Sequence, residues 1–174
     1  SANQVALNRV AIAAIVFAVW NGFRAIAPQQ SESTPIGWRD VGLLTLAGGS
    51  FAAFVVCLAW SLAHTQVANA TLLTHMMPIF TTLGGWLFLG QRYSLQFWIG
   101  LVIALGGAIA IGAGDLSLAS DTILGDIAAL FAAVFIAIEM LVVEQLRTRF
   151  ATPTITMCEC AIATVLVLPT VLWN

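Results

Sequence analysis

The apolar positions of this chain fall into long unbroken runs, not alternations. Six of them can be marked, at roughly 5 to 24, 41 to 63, 68 to 90, 96 to 114, 123 to 146 and 153 to 174. Each approaches the ~20 residues that an α-helix needs to cross a bilayer. Barrel strands instead alternate in and out over about ten residues. The pattern therefore predicts an all-α integral membrane fold with six transmembrane helices. Polar punctuation agrees. "AIAPQQSESTPIGWRD" is the longest and most polar connector, and "GDLSLASDTILGD" carries helix-stop glycine and N-cap aspartate signals.

Composition sharpens this reading. Of 174 residues, 60% are hydrophobic and only 8% charged, with a mean hydropathy of +0.99. A soluble domain carries about 25% charged residues, so the solvent to reason about is lipid. Net charge is −2 and lysine is absent, which leaves no basic surface for nucleic acid. The opening segment lacks a basic leader and reads as a mature span. Cys57, Cys158 and Cys160 lie inside apolar runs and read as small core residues. Two thiols spaced as Cys158 and Cys160 project about 200° apart on a helix, a poor chelate. No phosphate loop, metalloprotease motif or nucleophile elbow is present, so no catalytic, cofactor or metal site is assigned and the chain is not read as an enzyme.

With six spans, the first, third and fifth loops share one side of the membrane. Arg24, Arg39, Arg92, Arg147 and Arg149 fall on that side, and Asp115 and Asp121 on the other. The positive-inside rule makes the arginine side cytoplasmic and places both ends of this segment outside. Trp20, Trp38, Trp60, Trp86, Trp98 and Trp173 lie near span ends, as interfacial anchors do.

Polar groups within the spans are the candidate functional residues. In the helix at 68 to 90, Thr71, Thr74, His75, Pro78, Thr81, Thr82 and Gly85 share an arc of about 120°, with leucine, methionine, isoleucine and phenylalanine opposite. Pro78 removes the amide that would bond the Thr74 carbonyl, and nearby hydroxyls or water can satisfy what it frees. A weakened helix with a polar stripe suits the wall of a transport pathway. Helix packing through buried hydroxyls is the competing account. Gly100, Ala104, Ala108 and Gly112 place a small residue at every fourth position of the next span, a ridge suited to close helix packing. Arg9 and Glu159 each lie about one and a half turns inside a span end, where they either snorkel or face the pathway. Glu139 is deeper, about four turns into its span, and at that depth a carboxylate calls for a proton, a partner or water.

Two further patterns bear on architecture. "VALNRVAIAAIV" (5–16) lies over "ITMCECAIATVL" (155–166) at a shift of 150 residues, sharing Ala-Ile-Ala and setting Arg9 opposite Glu159. The two segments run oppositely through the membrane, the relation of inverted repeats in secondary transporters. "ATLLTHMMPIFTTLGGWLFLGQRYSLQFWIGLVIALGGAIAIG" resembles the proline-centred helix, turn and glycine-rich helix of the EamA-type drug/metabolite transporters, and "GDIAALFAAVFIAIEMLVVEQL" is similar to the helix that opens their second repeat. Gln91 and Glu139 depart from the family pattern: the turn usually has glutamate, and an uncharged residue is expected at the second position. The resemblance implies ten helices in two inverted repeats of five. Residues 1–115 would then form most of the first repeat, without its first helix, and 116–174 the first two helices of the second. It also implies a secondary transporter in the inner membrane, exporting small metabolites, amino acids or drug-like compounds by alternating access. Its partners would be the lipid bilayer and a small-molecule substrate, with protons a candidate coupling ion. The alternatives are a membrane-embedded enzyme and a ligand-binding membrane protein that does not transport.

Overall fold

A computed structural model describes residues 37–112 and 122–172, and the regular structure over those residues is helical. In chain order the segments are α1 (Trp38–His64), α2 (Val67–Thr74), α3 (Met77–Leu89), α4 (Leu95–Gly112), α5 (Ile123–Leu146) and α6 (Thr152–Leu172). The predicted run at 123 to 146 coincides with α5, and α1, α4 and α6 differ from their runs by a few residues. The run at 68 to 90 is two segments, α2 and α3, and the run at 5 to 24 lies outside the described residues. Among the described residues, three stretches are long and apolar enough to cross a membrane: Trp38–His64, Val67–Leu89 and Ile123–Leu146. Leu95–Ala110 and Thr152–Val167 are shorter apolar helices.

Local chemistry sets the helix ends. At the start of α1, the Gly37 N–H donates to Asp40 Oδ2 at 2.9 Å while the Asp40 N–H donates to the Gly37 carbonyl at 3.0 Å. That reciprocal pair satisfies donors at the helix start and sets a negative charge at its positive end. The Ser94 Oγ accepts the Phe97 N–H at 3.3 Å, an N-cap for α4. α3 stops at Gly90, whose φ of 65° is left-handed, and the Gln91 N–H returns to the Gly85 carbonyl at 3.0 Å. This is a glycine-dependent stop, since a side chain at φ of this sign is strained.

Of the described residues, 37–52 and 142–172 belong to one compact unit and 53–112 and 122–141 to the other. In the first, Ala47, Leu146, Ile155, Ala163 and Val167 are buried. A Cβ on Gly48 would stand 2.7 Å from Ile162 Cβ, so the missing side chain is what lets α1 and α6 approach. In the second unit, Ala129, Ala132, Ala133 and Ala137 are buried along one face of α5. Gly125 continues that face. A Cβ there would meet the His64 carbonyl carbon at 2.7 Å and its oxygen at 2.8 Å.

The packed small-residue face of the second unit thus lies on α5. On α4, an added Cβ at Gly100 would meet nothing within 4 Å, and Ala104 is exposed. The half-buried positions of α4 are Leu101, Leu105 and Ala108, and the helix lies against α2. Of the predicted ridge, Ala108 shares that face while Gly100 and Ala104 do not, and Gly112 is the last residue of the helix. Small residues at every fourth position identify a surface that permits close approach, but not whether a neighbour takes it.

Candidate functional site

The stretch from α2 to α3 is one apolar span with a fault at its middle. His75 (φ −67°, ψ −4°) and Met76 (φ −72°, ψ −7°) remain right-handed, so the backbone does not turn away. What changes is the bonding. The His75 N–H still reaches back four residues to the Thr71 carbonyl at 3.0 Å. The Met76 N–H bonds the Leu73 carbonyl at 3.1 Å and the Ile79 N–H bonds the Met76 carbonyl at 3.0 Å, each reaching back only three. Pro78 follows at the start of α3 and has no N–H to give to Thr74. The ladder tightens where the proline ring would clash with it, the expected response of a helix to an internal proline.

The threonines make local bonds. Thr74 Oγ1 donates to the Ala70 carbonyl at 2.7 Å, Thr81 to Met77 at 3.0 Å and Thr82 to Pro78 at 2.7 Å. Thr71 donates to the Val67 carbonyl and, at 3.2 Å, to that of Ala68. These hydroxyls thus go to carbonyls one turn back, not to the Thr74 carbonyl that Pro78 leaves without its amide.

The predicted stripe does not have one environment. Thr71 and His75 are exposed, Thr74, Pro78 and Thr81 half-buried, and Thr82 and Gly85 buried. On the opposite side Leu83 and Leu87 are exposed. Glu139 is half-buried on α5 within the same unit. Glu159 is buried on α6 in the other unit, between half-buried Cys158 and buried Cys160. Arg9 lies outside the described residues.

Sequence reasoning missed three polar groupings. In the second unit the Asp126 carboxylate, in the first turn of α5, accepts from Thr65 Oγ1 at 2.6 Å and from Asn69 Nδ2 at 3.3 and 3.4 Å. It ties the start of α5 to the end of α1 and the start of α2. Beyond α3, Tyr93 donates to Gln91 Oε1 at 2.5 Å, and a Cβ on Gly85 would collide with that pair. In the first unit Arg149 Nη1 reaches both Asp40 oxygens, at 2.6 and 2.9 Å. The available signal was polar type at a helix end, which does not reveal a partner 61 or 109 residues away. Trp38, Trp60, Trp86 and Trp98 are all exposed, as membrane-interface side chains would be, and Trp60 stacks on His64 with centroids 4.1 Å apart.

Comparison with known proteins settles the family. Residues 1–113, about two thirds of the chain, match the model of the EamA-like transporter family. The chain belongs to this family. A pseudopaline exporter of Pseudomonas aeruginosa is 33% identical over 137 residues, covering 78% of this chain and 47% of that protein. A protein of Streptantibioticus cattleyicolor named "Probable terminal-alkyne amino-acid exporter" is 27% identical over 108 residues, 62% of this chain and 34% of its own length. Human solute carrier family 35 member F6 is 29% identical over 92 residues, 49% of this chain and 25% of that one. The chain thus spans at most about half the length of these relatives. No solved structure matches it significantly. The expected membership of the drug/metabolite transporters is met, and this EamA-like chain has the apolar helices of a membrane protein.

Proposed function

We propose that this EamA-like chain is part of a secondary transporter of the inner membrane that exports small metabolites by alternating access. Residues 1–115 would contribute to one inverted repeat and 116–174 to the next. The observation that carries the reading is the faulted span Val67–Leu89. A membrane helix whose ladder changes register beside Pro78 can flex there, and its threonine hydroxyls can take polar groups of a cargo. Two relatives carry exporter names, and that of the one named a probable terminal-alkyne amino-acid exporter makes amino-acid derivatives the first cargo class to test. The pathway residues are Thr71, Thr74, His75, Pro78 and Thr82, with Arg9, Glu139 and Glu159 as the charged candidates.

The test is flux in proteoliposomes carrying the full-length protein, with labelled amino-acid derivatives inside. Thr74→Leu and Thr82→Leu are expected to reduce flux at least about tenfold while the unfolding midpoint falls by only a few degrees, as for mild overpacking. Leu83→Ala, on the exposed opposite side, is expected to leave flux near wild type. Equal loss from both sides defeats the pathway assignment, and saturable binding without flux in the wild type defeats transport.

A further inference from the structure

We propose that the Asp40–Arg149 ion pair is a latch at the arginine side of the membrane, holding that side shut and parting as it opens. The proposal rests on the transport reading above. The pair joins distant parts of the chain. Asp40 starts α1, inside the segment that matches the family, and Arg149 lies in the turn between α5 and α6, beyond that segment. A contact between elements of two repeats must change if the repeats move against each other.

Its two halves are unequally placed. The Asp40 side chain is 3% exposed and that of Arg149 is 47% exposed. The guanidinium can swing into water on its own long stem, where its charge is hydrated, without dragging a helix along. The carboxylate it leaves keeps the Gly37 N–H as a donor at 2.9 Å and stays at the positive end of α1. The open state therefore has both charges accommodated. A fully buried pair would lack that outlet, because parting would strand both ions.

Arg39 and Arg147, both exposed, lie beside the two partners in sequence, so this end carries three arginines with Asp40 and the exposed Glu144. Arg149 also sits in a short turn. The Thr148 and Arg149 amides reach back three residues, to Gln145 at 3.4 Å and Leu146 at 2.9 Å, so it is released from a non-helical segment.

The experiment is a distance measurement that needs no substrate. In the full-length protein, with every native cysteine replaced by alanine, Cys57, Cys158 and Cys160 among them, spin labels are placed at Trp38→Cys and Thr148→Cys, both exposed positions. Two distance populations are expected. Asp40→Asn, which keeps an acceptor for Gly37, and Arg149→Gln should each enrich the longer one by at least about twofold, since a pair whose acid is buried is worth no less than an exposed one. Thermal unfolding in detergent confirms that the variants are folded. If Asp40→Asn does not fold, Arg149→Gln decides. A single unchanged distance in the wild type and in the folded variants overturns the latch. Two responsive populations without flux of any cargo would count against the transport reading and leave the latch standing.

Discussion

Thr82 shows what a hydroxyl in a membrane helix does at rest. It is buried and donates to the Pro78 carbonyl at 2.7 Å, so its polarity is satisfied inside its own helix. Thr74 and Thr81 do likewise. A carbonyl inside a helix also receives a backbone amide, so losing the hydroxyl bond strands little. Thr82→Val should therefore change stability by less than about 1 kcal/mol and weaken cargo binding, measured by equilibrium binding to the full-length protein; Thr82→Ser should retain it. Glu139 poses a different question, because an acid about two turns inside the end of α5 calls for a proton, a partner or water. Glutamine mimics the neutral form. Glu139→Gln is expected to abolish flux driven by a pH gradient while leaving substrate exchange intact, measured in the same proteoliposomes. Unchanged gradient-driven flux would assign Glu139 to structure.

Among the elements, the α2–α3 span carries the sharpest expectation. Pro78→Ala restores an amide opposite the Thr74 carbonyl and removes a ring that costs an interior helix about 3 kcal/mol. It should slow hydrogen exchange around His75–Ile79, raise the unfolding midpoint and reduce flux. Faster transport from the fully bonded helix would contradict the flexing role. The same span shows what patterning could and could not reveal. Its apolar length and the weakening at Pro78 were legible, because a missing N–H is a covalent fact of the residue. The spread of Thr71, His75, Thr82 and Gly85 over exposed and buried environments was not, because neighbours decide burial. The bounds of α5 were legible for a similar reason, with Asp126 in the first turn of an uninterrupted apolar run. Gly100 and Ala104 on α4 and the alanines on α5 look equally suited to packing in sequence. Only the latter are buried.

At the scale of the molecule, orientation is the property most open to test. Asp40 with Arg149 places the start of α1 and the end of α5 together within one unit, and Thr65 with Asp126 does the same for the end of α1 and the start of α5 within the other. Both agree with loops that alternate in side, the premise behind the charge-based orientation. In a cysteine-free full-length protein, Gln66→Cys, exposed between α1 and α2, should react with an impermeant thiol reagent in intact cells. Thr148→Cys should react only after permeabilisation; the reverse pattern would invert the assignment. The long-range partners were hidden from sequence reading by that same separation. Folding order follows from it too. Gly48 is shaped for Ile162, and Asp40 for Arg149, 109 residues later. At a synthesis rate of ~5–20 residues per second, α1 waits in the bilayer about 5–20 s before its partner helix has been made. During that interval lipid or another helix must fill the notch at Gly48. A larger residue there would leave insertion of α1 untouched and act only when α6 arrives to dock.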